Sequence, residues 1–261
     1  MILDYKNVPV YYEDEGQGHV VVLLHGFLEN SSMWKTLKPQ ILESHRVVCI
    51  DLLGHGQTGC LGYIHTMEDM ADAVLAVLDH LAMNAYVLIG HSMGGYVALA
   101  LAEKQPDSVK GLCLMNSTYY ADDKARKALR KRANKMVQTN FESMVRMSFT
   151  NLFSEVSRIS HKKALDEALL EALKTPVQGY IAAQEGMIKR SDKLAFLKDL
   201  DAEKLIIIAS DDPVIDPQRI LNDTRETTIR CEEIGFGHMS HIENTSELSY
   251  IIMRFIEFKY S

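Results

Sequence analysis

Four short runs, residues 20–24, 47–50, 86–89 and 109–115, carry apolar side chains on both faces of an extended chain, and segments of helical period separate them. A strand without a polar face has to be covered on both sides, which a parallel sheet between two helical layers provides. One such crossover helix is marked by Met67, Met70, Val74, Val77, Leu78 and Leu81, with Thr66 and Asp69 spaced as a capping box at its start. Ahead of these runs, residues 2–5 and 8–12 flank Lys6-Asn7 and predict an N-terminal hairpin. From about 118 to 190 the β-rich runs stop. Apolar residues then recur at helical spacing, first Ala125, Leu129, Ala133 and Met136, then Ala164, Leu165, Ala168, Leu169 and Ala172, and Pro176 is expected to close one of these helices. Strands resume at 204–209 and 227–234, and 246–258 predicts a closing amphipathic helix. The pattern is that of an α/β fold with a mostly parallel eight-stranded sheet and helices on both faces. Residues 1–117 and 191–261 form its core, and 118–190 are a helical cap inserted into it.

Composition narrows the function. The chain has 261 residues, with 28 Lys and Arg against 35 Asp and Glu for a formal charge of −7, so it lacks the broad cationic surface that nucleic acid or an anionic membrane requires. No apolar run reaches the roughly 18–20 residues of a membrane span. The start, Met1-Ile2-Leu3-Asp4, places an acid where a signal peptide carries its basic and apolar stretch, which makes the expected address cytoplasmic. Cys49, Cys60, Cys113 and Cys231 have no metal-type spacing and are expected to be reduced thiols.

Gly90-His91-Ser92-Met93-Gly94 follows an apolar strand and opens a helical segment. A serine at the apex of so tight a turn is held in a strained conformation that projects its hydroxyl, and glycines two positions either side leave room for the crossing strand and helix. In that context the pentapeptide resembles the nucleophile turn of the α/β-hydrolase fold family, in its serine esterase and lipase-like branch. Other segments are similar to the family's motifs. His25-Gly26-Phe27 resembles its oxyanion loop, which implies that the backbone N–H groups of Phe27 and Met93 bind the oxyanion. Asp51-Leu52-Leu53-Gly54-His55-Gly56-Gln57-Thr58 resembles a structural loop, with Leu53 and Thr58 in place of a frequent Arg and Ser; His25, Asp51 and His55 are given structural roles.

A serine hydroxyl needs a general base held in one tautomer by an acid. Ser210-Asp211-Asp212-Pro213-Val214 is similar to the family's acid loop and makes Asp212, not Asp211, the acid; Asn116, where some relatives carry theirs, is an amide. Gly237-His238-Met239-Ser240-His241-Ile242-Glu243 resembles the catalytic-histidine loop, which makes His238 the base and gives Glu243 the ordering of the loop. The implied triad is Ser92, Asp212 and His238, with no cofactor and no metal.

Serine rather than aspartate at the turn excludes the carboxylate nucleophile of haloalkane dehalogenases and epoxide hydrolases. Gly-His-Ser, and a single tryptophan at Trp34, depart from the ring-cleavage C–C hydrolases, and Met93 departs from the proline iminopeptidases. The expected activity is cleavage of a small-molecule carboxylic ester or thioester, by a monomer or homodimer. The alternatives are a ligand-binding receptor that keeps the fold, or a lyase or C–C bond hydrolase using the same triad. The substrate pocket is expected beneath the cap, with Arg132, Met136, Met144 and Tyr180 on its wall and Met147, Met187, Phe141 and Phe149 among the cap's apolar positions. Seven cations between 121 and 140 predict a solvated face, except that Arg132 stands on the stripe side, from where it would clamp an anionic substrate.

Overall fold

The computed structural model describes residues 1–257. Its strands are β1 (Ile2–Tyr5), β2 (Val8–Glu15), β3 (Val20–Leu24), β4 (Arg46–Ile50), β5 (Tyr86–His91), β6 (Val109–Met115), β7 (Glu203–Ala209) and β8 (Arg230–Ile234). They form one eight-stranded sheet in the order β1-β2-β4-β3-β5-β6-β7-β8. β1 and β2 are antiparallel, as are β2 and β4; every pairing from β4 to β8 is parallel. Lys6 and Asn7 turn the first hairpin with φ of 53° and 62°, the pair of positive values that matches a two-residue turn to the twist of its strands. The strand order reverses between β3 and β5, and such a reversal opens a crevice at the carboxyl ends of the strands.

The helices are α1 (Lys38–Ile41), α2 (Met67–His80), α3 (Met93–Lys104), α4 (Lys124–Thr150), α5 (Glu155–Ser160), α6 (Lys162–Ala172), α7 (Val177–Lys189), α8 (Leu194–Asp199), α9 (Pro217–Thr224), α10 (Ser240–Glu243) and α11 (Thr245–Glu257). Alternate residues of β3 show how the core divides: Val22 and Leu24 pack with α2 and α3, whereas Val21 and Leu23 pack with Ile41 of α1 and Leu248 and Ile252 of α11. The capping box forms as expected, with Thr66 Oγ1 accepting from Asp69 N (3.0 Å) and Asp69 Oδ2 from Thr66 N (3.1 Å).

α4 to α7 lie between β6 and β7 and have a core of their own. Val137, Val145, Phe149, Leu165, Leu169 and Tyr180 pack there with Leu28 and Met239 from the sheet side. Two expected boundaries change. β8 begins at Arg230 rather than Thr227, because Thr227 turns back, its N–H and hydroxyl both donating to Thr224 O. Pro176 opens α7 as its N-cap residue, and α6 has already ended at Ala172. Phe258, the last residue of the expected closing helix, lies outside the described residues. Among the described residues no helix is long and apolar enough to cross a membrane.

Candidate active site

Ser92 stands between the end of β5 and the first residue of α3, at φ 48° and ψ −112°. Bonds on both sides hold this strained conformation. The Ser92 N–H donates to Met115 O (3.0 Å), and its carbonyl accepts from Gly95 N–H (3.0 Å) and from the Ser117 hydroxyl (2.6 Å). The flanking glycines answer to crowding: a Cβ on Gly90 would fall on the backbone of Gly94, and one on Gly94 would fall on the carbonyls of Leu24 and His25.

His238 Nε2 lies 2.8 Å from Ser92 Oγ, and its Nδ1 lies 2.8 and 3.0 Å from the two carboxylate oxygens of Asp212. A carboxylate at Nδ1 requires the proton there, so Nε2 is the acceptor that faces the serine. Asp212 Oδ1 also accepts from the N–H groups of Val214 (2.8 Å) and Ile215 (3.1 Å). Asn116 Nδ2 donates to Oδ2 at 3.2 Å, so the residue excluded as an acid is a hydrogen-bond partner of Asp212. Burial pushes the Asp212 pKa up, but His238 and these donors outweigh it and hold the carboxyl below its ordinary value. Asp211 is exposed and accepts only from the neighbouring Ser210 hydroxyl (3.4 Å) among the described residues.

The histidine loop is tied to the helical segment. His238 N–H donates to Leu152 O (2.9 Å), and Glu243 accepts from the N–H groups of Gly237 (3.2 Å), Met239 (3.0 Å) and Ser154 (2.9 Å). On the other side, residues 26–29 form a tight turn. Glu29 N–H donates to Gly26 O (3.2 Å), and Leu28, at φ 65°, holds a conformation that favours glycine. Phe27, in the centre of this turn, lines the same cavity as Ser92. Met93 opens α3, where the first N–H groups have no acceptor within the helix. His25, Asp51 and His55 serve the loops: Leu52 N–H donates to His25 Nε2 (2.9 Å), Asp51 accepts from Ser31 and Gln57 N–H (2.7 and 2.8 Å), and His55 Nδ1 meets Leu53 O (3.1 Å).

A buried pair that the sequence does not announce lies beside His238. His91 Nδ1 is 2.6 Å from Glu29 Oε2, and its Nε2 is 3.0 Å from the carbonyl of His238. A carbonyl only accepts, so Nε2 is protonated; with Glu29 ionised, His91 is an imidazolium. Burial opposes both charges, yet each stabilises the other. The Glu29 carboxyl is held down to about 2, with His241 and His25 assisting, and His91 is raised. Glu29 Oε2 also accepts from Gly26 N–H (2.8 Å), so one ion pair joins the loop of His238 to the loop of Phe27. Glu29, His91 and His241 have metal-ligand atoms within 4.8 Å of one another, but both nitrogens of His91 are engaged, one with the carboxylate and one with a carbonyl, which describes an ion pair. No motif spacing signals this pair, because Glu29 and His91 are 62 residues apart.

Ser92 and His238 open into a cavity of about 370 Å³, walled by Phe27, Tyr96 and residues of α4 and α7. A second cavity, about 430 Å³, lies behind Leu28 and Glu29 and reaches neither Ser92 nor His238. Met144 and Tyr180 line the Ser92 cavity, as do Met147, Phe149 and Met187; Phe141 packs against Tyr180 instead. Arg132 and Met136 do not line it. Both are exposed, because the inward stripe of α4 is 126, 129, 130 and 133, and Arg132 is two residues, a little over half a turn, from Arg130. The guanidinium groups on the wall are those of Arg126 and Arg130.

A family model described as the alpha/beta hydrolase fold matches residues 19–245. The chain belongs to that family. An (E)-2-((N-methylformamido)methylene)succinate hydrolase of Acinetobacter baylyi is 25% identical over 243 residues that span 92% of this chain and 87% of that one. The 3-oxoadipate enol-lactonase 1 of the same organism is 25% identical over 257 residues, covering 97% and 94% of the two chains. Among solved structures, a thermophilic esterase from Thermogutta terrifontis with malate bound has a TM-score of 0.90 at 28% identity, covering 97% of this chain and 95% of its own.

Proposed function

We propose that this alpha/beta hydrolase is a serine hydrolase that cleaves a carboxylic ester or thioester of a small molecule through an acyl-enzyme. The observation that carries the reading is the unbroken chain from Ser92 Oγ through His238 to Asp212, ending in a cavity beneath the helices of residues 118–190, which act as a cap. His238 Nε2 takes the Ser92 proton as Oγ bonds to the carbonyl carbon, and the carbonyl oxygen becomes an oxyanion held by the N–H groups of Phe27 and Met93. The tetrahedral species expels the alcohol or thiol, which receives the proton from His238, and leaves the acyl group on Ser92. Water then attacks that acyl group, with His238 again as base, and releases the acid. Asp212 keeps the imidazole in its Nδ1–H tautomer and stabilises the imidazolium of each step. Relatives named for hydrolysing a succinate derivative, opening an enol-lactone and cleaving esters agree with attack on an acyl carbon.

The test is covalent labelling by a fluorophosphonate together with turnover of p-nitrophenyl esters of graded acyl length. The expected result is one label per chain, absent in Ser92→Ala, and a fall in kcat of about 10⁴- to 10⁶-fold in that variant with the fold retained. Ser92→Ala turning over as fast as the parent would overturn the assignment.

A further inference from the structure

The cations of α4 divide by direction. Lys124, Lys131, Arg132 and Lys135 are exposed, whereas Arg126 and Arg130, one helical turn apart, line the cavity of Ser92. The Arg130 side chain is only 13% exposed. Its Nε donates to Asp122 Oδ2 (2.6 Å) and its Nη1 to Gln184 Oε1 (2.7 Å). Asp122, however, is shared, because Arg190 Nη2 approaches its other oxygen at 2.8 Å. Arg190 is fully engaged elsewhere: Nε on Tyr120 O (3.1 Å), Nη1 on Met187 O (3.0 Å), and its plane on the Tyr96 ring at 4.0 Å. Two guanidinium groups thus share one carboxylate, and among the described residues the cluster keeps one positive charge without a counter-charge.

The other charges on this wall do not supply it. Glu29 is matched by the His91 imidazolium; Asp212 stands beside a neutral His238 and keeps its charge, but it directs that charge to His238, Asn116 and two backbone N–H groups and pairs with neither arginine. Arg126 adds a second cation, held through Nη2 by a neutral group, Val214 O (2.6 Å). Burial draws the Arg130 guanidinium below its ordinary pKa in spite of Asp122, the behaviour of a buried cation short of negative charge. A guanidinium carries five N–H donors in a planar fork, more than Asp122 and Gln184 use, and a carboxylate is the anion whose two oxygens match that fork. A buried charge left unpaired is costly, so occupation by an anion is favoured.

We propose that Arg130, assisted by Arg126, is the binding site for a free carboxylate on the substrate, so that the Ser92 site takes the monoester, lactone or thioester of a molecule that carries a second, ionised acid. The inference rests on Ser92 as the nucleophile of this cavity. It assigns to Arg130 the anion clamp that the sequence pattern assigns to Arg132.

The experiment measures kcat/KM for two matched ester pairs, each a terminal carboxylate against its methyl ester, with the carboxylate on the acyl side in one pair and on the alcohol side in the other. In the parent, the anion is expected to be preferred about tenfold or more in at least one pair, and the anionic-to-neutral ratio is expected to fall on the order of 10- to 100-fold in Arg130→Met. Arg132→Met, on the exposed face, is expected to keep the parent's ratio. Arg130→Met leaves Asp122 paired one-to-one with Arg190, so folding is expected to survive; the parent's ratio tests the proposal even if it does not. A parent ratio at or below one in both pairs, or a ratio unchanged in Arg130→Met, overturns the carboxylate site and leaves the serine hydrolase standing. Should no ester turn over, the proposed activity fails instead. The carboxylate site is then read by calorimetric titration of Ser92→Ala with succinate, where binding abolished by Arg130→Met supports it and no binding overturns it.

Discussion

Asp211 and Asp212 are neighbours in the chain and opposites in environment. Asp212 is buried with both oxygens engaged, by His238, Asn116 and two backbone N–H groups, whereas Asp211 faces solvent. Asp212→Asn is therefore expected to lower kcat by about 10⁴-fold, because an amide no longer fixes the His238 tautomer, and Asp211→Asn to change it less than threefold. Equal losses would show that geometry at His238 is not what separates them. The buried histidines carry a second expectation. Burial lowers His241 to about 4 and His55 to about 3, against about 6.5 when unfolded. Between those limits the unfolded chain binds the extra protons, so stability falls as pH drops from 6.5 toward 4. His91 has the opposite sign, since Glu29 raises it against the effect of burial, and its contribution is lost as pH rises through its folded value. Urea midpoints taken across this acid range should decline, and His241→Gln should remove on the order of 3 kcal/mol of the decline; an unchanged slope would mean that His241 is not held neutral. That Ser92, Asp212 and His238 meet was readable because each sits in a contiguous motif. Glu29 with His91, and Arg130 with Asp122 and Arg190, were not, because their partners meet only when distant segments fold together.

At the scale of elements, strands were easier to read than helix phase. A parallel strand covered on both sides is apolar throughout, so β3 and β5 needed no choice of face. α4 did need one. Small and apolar residues at 125, 129, 133 and 136 suggested a stripe, but the helix turns 126, 129, 130 and 133 toward the cavity, leaves Leu129 half exposed there, and buries Asn134 and Val137. α7 was hidden for another reason. Gly179 and Gly186 are two turns apart and let its backbone lie directly on the loops of Gly54 and His65, an approach that no apolar pattern records. His65 N–H donates to Ala182 O (2.9 Å) and Gln178 Nε2 to Gly62 O (2.9 Å) along the same face. Alanine normally favours a helix over glycine by about 1 kcal/mol. Here a Cβ at 179 meets the Gly54 carbonyl, and Gly179→Ala is expected to destabilise by about 1–3 kcal/mol in urea unfolding. A stabilised variant would show that α7 does not bear on that loop.

For the whole molecule, the division into a sheet and a helical excursion was legible because β-type runs cease near 118 and resume near 204, a change of period that any covering of the sheet has to respect. How tightly the two parts are joined was not, since the joints are backbone groups without a residue signature. The bond from His238 N–H to Leu152 O, and the hold of Glu243 on both Ser154 and the histidine loop, make the excursion part of the scaffold that positions His238. Exchanging the whole excursion for another of similar outline is therefore expected to disturb His238 as well as the pocket. A graft that omits the carbonyl at 152 and the N–H at 154 would unmoor His238 along with the pocket, whereas changes confined to the inward positions of α4 leave that mooring untouched. A change of specificity that keeps His238 in place is thus expected to be made in single turns of one helix.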